Sequence, residues 1–368
     1  MSAILVVLIL IRPFIAGIAY PFASFALTGI SIAALLIFLV FKQPSAERFR
    51  SIAYPLSLFI AGVCLSLIGS MDMATSVIEL YKFLPCVLAF VAAACLDEKE
   101  RRIVIFAAMC SAVVICAGAV YQRLFGFGHL SGYLESSRIA SPVALHYITE
   151  KRVFFPFVTP NILAGYCAFV LPLCFSEPRF YWIAVPLVIV LLLAQSLGAM
   201  IGLLAGIFLC MALFRSKPSA WSIALFTGVL ALVTLIFWLR LSGESLETAA
   251  PGLMRFEYWR NTFEVIRSHP IFGTGIGNMS LKTSLFAHNA ILQIWAETGI
   301  IGLAGFVWLC VAVLRDALRG YYANKSLLTA LIACSCIVFL AHNMFDFTFF
   351  MPETSFLWWL LMGSLRAA

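Results

Sequence analysis

The sequence predicts an all-α fold, a polytopic membrane helix bundle of about 12 transmembrane helices with a large outward loop containing short helices. Three observations carry that prediction. Hydrophobic residues make up 63% of the chain and charged residues only 11%, whereas soluble domains hold about 45–50% and about 25%. Mean hydropathy is +1.04, so the chain has too little polar surface to cover itself in water, and lipid must be its solvent. Apolar runs of about 17–25 residues recur along the whole length, each suited to a hydrocarbon core about 30 Å thick. No long stretch lacks such a run, so the chain reads as a single integral membrane domain over 1–368.

Spans are expected near 2–19, 23–41, 51–70, 74–95, 103–122, 160–176, 180–195, 197–214, 221–239, 299–315, 326–345 and 353–367. The start, Met1 to Leu10, has neither a basic n-region nor a small-residue cleavage site, so a first membrane helix is expected there and not a cleaved signal. Only Arg12-Pro13 and Tyr20-Pro21 separate the first two spans, and a tight turn near Gln195-Ser196 joins the seventh and eighth. The eleven cysteines all lie in or at the ends of apolar runs. Buried thiols behave as small hydrophobes, so neither disulfides nor a metal site is expected.

Loop charge sets the orientation. Lys42, Arg48, Arg50, Lys99, Arg101, Arg102, Arg179, Arg215, Lys217, Arg315, Arg319, Lys325 and Arg366 fall on one side, and the short opposite loops carry no Lys or Arg. The basic side is expected inside, with both termini. Two outward loops are long, 123–159 and 240–298. The second is expected to hold short helices, such as Gly252 to Ser268, and has turn signals at His269-Pro270 and Gly273–Gly277. Binding groups usually sit on such loops over a rigid scaffold. No repeat, low-complexity tract or nucleic-acid motif is present, and the lipid bilayer is the one partner that composition implies.

The stretch from Arg255 to Gly305 is the richest in chemistry. Arg255, Arg260 and Arg267 place three guanidiniums on the outward side. The guanidinium fork binds two phosphate oxygens at once, although charges facing lipid headgroups would look the same. Gly273, Gly275 and Gly277 precede Asn278 and read either as a backbone anion cradle or as a plain turn. His288 and Asn289 open a helix that runs into the membrane. Neutral histidine is the usual general base near pH 7; the alternative is a histidine that caps the helix. Asn289, Gln293 and Glu297 recur every four residues as one polar stripe. Within spans, Glu79 and Lys82 can pair, and His342 lies one turn before Asp346. The latter two form either a local hydrogen bond or support for His288. Trp358 and Trp359 lie deep enough to serve helix packing.

Four motifs in order then resemble one family. The run H-N-x-x-L-Q-x-x-x-E-x-G holds His288, Asn289, Leu292, Gln293, Glu297 and Gly299. Ahead of it stand Arg255 and Trp259 in R-x-x-x-W, and His269 to Asn278 in H-P-x-x-G-x-G-x-G-N. Arg152, Pro160, Asn161 and Ala164 form a third piece, and His342, Asp346, Phe347 and Pro352 a fourth. Together they resemble the O-antigen ligase and polymerase family over about 150–368.

The resemblance implies a bundle of about twelve helices in a bacterial inner membrane, with cytoplasmic termini and a large periplasmic loop folded over the site. It implies transfer of a glycan from an undecaprenyl-diphosphate carrier to an acceptor hydroxyl, with lipid A-core as the first expectation and a second glycan or a protein as the alternatives. No cofactor and no metal are implied. His288 would be the base and Arg255 would neutralise the diphosphate. Arg152, Arg260, Lys282, Asn161, Asn289, Gln293 and Glu297 would bind substrate, with Asp346, His342 and Trp259 in support. One position departs: the family's S-R-G at the start of a mid-chain helix is here Ser196-Leu197-Gly198. Leu197 cannot pair with phosphate, so Arg152, Arg255, Arg260 or Lys282 would have to substitute. Outside this family, a secondary transporter or a non-catalytic membrane scaffold would also fit a twelve-helix composition. The transporter reading predicts internal repeats, and the halves show none.

Overall fold

A computed structural model of the chain describes residues 2–42, 49–137, 142–214, 227–228, 231, 250–279, 281 and 284–366. Among these residues the regular structure is helical, with no strand. The expected span at 221–239 lies almost wholly outside the described residues, as does Lys282.

The first helix is cut short by proline. α1 (Ser2–Ile11) tightens into a 3₁₀ turn at Arg12–Phe14 around Pro13, and α2 (Pro21–Phe41) restarts with Pro21 in its first turn. α3 (Ala53–Ser66) and α4 (Met73–Ala93) follow. Asp72 caps α4 by accepting from Ala74 N–H at 3.0 Å. α5 (Glu98–Tyr121) starts with a reciprocal box, Glu100 N–H to Asp97 Oδ1 at 2.8 Å and Asp97 N–H to Glu100 Oε2 at 2.9 Å.

After α5 the chain passes through one π turn, Gln122–Gly126, into α6 (Phe127–Ser137), and α7 (Pro142–Thr149) comes next. Of the expected outward loop 123–159, the described part thus contains helical segments. α8 (Pro160–Val170) gives way to 3₁₀ turns at Pro172 and Pro178 before α9 (Ala184–Ala194). Gln195 turns the chain in the left-handed region at φ 53°, and α10 (Leu197–Phe214) matches its expected span residue for residue. α11 (Ala250–Ser268) is the expected short helix of the large loop. α12 (Ala290–Asn324) is long and kinked at Gly299, and α13 (Leu327–His342) and α14 (Pro352–Ser364) complete the chain.

Among the described residues, five helices are long and apolar enough to cross a membrane: Pro21–Phe41, Met73–Ala93, Glu98–Leu134, Leu197–Phe214 and Ala290–Asn324. Proline and glycine break the remaining apolar runs into segments of 10–17 residues, including Ser2–Phe14, Ala53–Ser66, Pro160–Ser176, Pro178–Ala194 and Leu327–His342.

Close backbone approach holds the bundle together. Lipid offers no hydrophobic drive between helices, so packing of small residues takes its place. A Cβ at Gly62 of α3 would fall on the backbone of Gly302 in α12, and one at Gly363 of α14 on the backbone of Phe90 in α4. Likewise Gly202 of α10 lies against the backbone of His342. Trp358 and Trp359 are fully buried in a phenylalanine cluster, with the Trp358 indole donating to Cys336 C=O at 3.2 Å. All eleven cysteines are free thiols.

Candidate functional site

The loop after α11 is laced onto α12. Gly273, Gly275 and Gly277 adopt φ of 72°, 93° and 77°, a region open to glycine at no steric cost. Their amides are engaged: Gly273 N–H donates to His269 C=O, Gly275 N–H to Glu297 C=O, and Gly277 N–H to Glu297 Oε2 at 3.0 Å. This is the turn reading and leaves no anion cradle. Gly299, at φ 65° and ψ −174°, opens the helix at that point, and a Cβ there would collide with Ile271 C=O. Asn278 ties the loop to α4 by donating to Ser70 Oγ at 2.8 Å and Ser76 Oγ at 3.0 Å.

The polar stripe of α12 completes this clamp. Asn289 caps the helix, accepting from Leu292 N–H at 3.1 Å and donating to Met344 C=O at 3.2 Å. Gln293 accepts from Ala287 N–H at 3.2 Å and donates to Glu297 Oε1 at 2.8 Å. All three side chains are buried. Their bonds fix the backbone on both sides of residue 288.

His288 itself has φ 53°, a region uncommon for a residue with a side chain. The clamp imposes it: Ala287 is held by Gln293, and Ala290 N–H donates to Asn343 C=O at 2.8 Å. The imidazole stacks on Tyr258 of α11 (5.4 Å between centroids, 20°) and meets Phe347 edge-on (4.9 Å, 89°). Its Nδ1 is buried and has no hydrogen-bond partner among the described residues. The ring lies in the loop ahead of α12. Burial pushes its pKa below the usual histidine value; Asp346 opposes that shift and Arg255 adds to it. The imidazole is thus held neutral, with a carboxylate and a guanidinium both near enough for their charges to act on it.

Each of those groups has its own support. Asp346 is buried, and its Oδ1 accepts from Phe347 N–H at 2.7 Å. His342 is buried against Gly165, and the charges of Asp346 and Arg255 reach it too. Arg255 is half-buried on α11, one turn before Tyr258, and makes no hydrogen bond or ion pair among the described residues. Trp259 packs edge-on to Phe256 and against Phe345, beside Asp346. Arg260, on the same helix, is exposed.

Arg152 approaches from the segment after α7. Its Nη2 donates to Asn161 Oδ1 and its Nε to Ala194 C=O, both at 3.2 Å, and its guanidinium lies 5.8 Å from the centre of the Tyr147 ring. Tyr147 feels the charges of both Arg152 and Asp346. The contact with Ala194 brings a cation to the turn before Leu197.

The structure therefore gathers Arg255, Trp259, His288, His342 and Asp346, with Arg152 and Asn161 adjoining, and engages Asn289, Gln293 and Glu297 in the clamp. Sequence reading missed Tyr258 and Tyr147, and named Phe347 in a motif without giving it a role. Tyr258 carried a signal, its spacing of three from Arg255 on one helix; Tyr147 did not. Among the described residues no three His, Cys, Asp or Glu side chains come together as a metal site requires.

A search of curated proteins finds no match to the chain. A family model described as O-antigen ligase matches residues 182–307, a stretch that holds Arg255, His288, Asn289, Gln293 and Glu297, and over that stretch the chain is similar to this family.

Proposed function

We propose that the protein transfers a glycan from an undecaprenyl-diphosphate carrier to an acceptor hydroxyl, on the periplasmic face of a bacterial inner membrane, with lipid A-core as acceptor. The family match supports glycan transfer of the O-antigen ligase or polymerase type. The observation that carries the finer reading is the environment of His288. It is a half-buried, neutral imidazole whose buried Nδ1 has no hydrogen-bond partner among the described residues, fixed by a hydrogen-bonded clamp, with Arg255 close by.

In this reading the imidazole takes the proton of the acceptor hydroxyl as its oxygen bonds to the sugar C1. The C1–O bond to the diphosphate breaks, and the electron pair leaves with the lipid diphosphate. Arg255 meets the charge that develops there, the stage at which electrostatic stabilisation counts most. Asp346 steadies the imidazolium. Arg152, held by Asn161 and Ala194 at the turn before Leu197, supplies the second cation in place of the family arginine.

The test is an in vitro transfer assay. Purified protein is mixed with undecaprenyl-diphosphate glycan and a panel of lipid A-core, a second glycan-lipid and a pilin-like peptide. Product that depends on His288 is the expected result, and the acceptor consumed separates ligase from polymerase from protein glycosylation. Absence of product with every acceptor, from protein shown to be folded, would remove the reading.

A further inference from the structure

A chamber of about 520 Å³ lies next to the His288 cluster, between α3, α4, α12 and the segment ahead of α14. It touches neither Arg255 nor His288, and the mechanism above does not use it. Two of its lining groups are charged residues of an apolar helix: Lys82 Nζ pairs with Glu79 Oε1 at 2.6 Å. Charges within a membrane helix are costly and default to a functional role. On the facing wall, α12 presents Glu297 and Gln293. Gly277 sits between the two carboxylates. Its N–H donates to Glu297 Oε2, and a Cβ in its place would run into the Glu79 side chain. Glu79 and Glu297 thus share one height in the chamber.

The remaining walls are largely apolar, and include the rings of Phe59, Phe83, Phe286, Phe349 and Phe350. Phe286 stacks on Phe347 (4.3 Å, 8°), and Phe347 is the ring that meets His288 edge-on. His288 therefore lies between Tyr258 of the arginine-bearing helix and the phenylalanine stack that borders the chamber.

These features select a ligand class. A diphosphate is poorly matched, because Lys82 is the one cation among the lining residues and Glu79 already neutralises it. Hydroxyl groups suit both halves of the pair, since each can donate to a carboxylate and accept from an ammonium. The apolar face of a sugar ring suits the phenylalanine walls. We propose that the chamber is a saccharide subsite, which holds the sugar of the acceptor and delivers its hydroxyl toward His288 past the Phe286–Phe347 stack. The proposal rests on the glycan-transfer reading for the sugar's role, but the binding itself can be measured without it.

The experiment is saturation-transfer NMR on the full chain in detergent, with methyl hexoside, methyl N-acetylhexosaminide and methyl heptoside as probes. Saturation of at least one glycoside is expected for wild type and for His288→Ala. It should disappear in Glu79→Gln/Lys82→Met and in Phe286→Ala, and return in Glu79→Asp. If the double variant fails to fold, Phe286→Ala carries the test alone. No saturation in wild type, or equal saturation in the chamber variants, overturns the subsite. In the transfer assay the same variants should raise acceptor KM by about tenfold, a loss of about 1.4 kcal/mol, with little change in kcat. An active enzyme with unchanged acceptor KM would overturn the subsite and leave glycan transfer standing. Chamber-dependent saturation in a protein that transfers nothing would support the subsite and remove the transfer reading.

Discussion

His288 and the stripe of Asn289, Gln293 and Glu297 are neighbours in sequence with opposite fates. The stripe is fully engaged: each side chain bonds a backbone amide, a carbonyl or another member of the stripe. The imidazole between those anchors has rings around it and an Nδ1 without a partner among the described residues. A buried polar group normally finds a partner, and one that does not calls for an explanation. The difference separates two roles that composition alone would merge. The stripe gives the site its shape, and His288, with Arg255, is left available for chemistry.

The sharpest way to break that division is His288→Ala. General-base groups typically contribute about 10²–10⁴-fold, so transfer should fall by that factor while the melting temperature in detergent stays close to wild type. Retained activity would return His288 to the structural side of the comparison. Arg255→Lys comes next. It keeps the charge and loses the fork, so transfer should fall by about tenfold or more, in line with one contact of about 1.5–3 kcal/mol to a charged group. Equal activity would argue against a two-oxygen phosphate contact.

Glu297→Ala probes the other half. It leaves the Gly277 amide and the Gln293 side chain without their acceptor, which costs about 1–3 kcal/mol in a buried setting. Its signature should be a lowered melting temperature, with transfer lost only as far as the loop loosens. A variant of full stability and no activity would place Glu297 with His288 and dissolve the contrast.

The same contrast marks what could be read in advance. Span 197–214 is a clean apolar run, bounded by Gln195 in the left-handed region, and sequence and structure agree on it. The α1–α2 break at Arg12–Phe14 was visible as proline, but its depth was not, because a 3₁₀ turn depends on the packing of Arg12 against Ser24. The helical course of 123–137 was hidden because α5 continues through a π turn that no residue pattern announces. In the site, residue types were legible and their partners were not. The sequence reads Glu297 as a substrate ligand, and its bond to Gly277, twenty positions earlier, could not be read there. The meeting of Arg255, His288 and Asp346 depends on three separate segments, and no local spacing encodes it.

The finest test uses pH. The His288 pKa lies below the usual 6.5 because burial disfavours the imidazolium. The working form is neutral, so transfer should be level above about pH 6.5 and fall only at lower pH, as the ring takes up its proton. Asp346→Asn removes the one charge that raises this pKa, while an asparagine oxygen can still accept from Phe347 N–H. The acid limb should therefore move to still lower pH. Arg255→Gln removes a charge that lowers the pKa, so the limb of its residual activity should move the other way. Opposite shifts in the two variants would tie the limb to His288 through its own neighbours. A limb that stays in place in both would assign it to another group and leave His288 without its role as base.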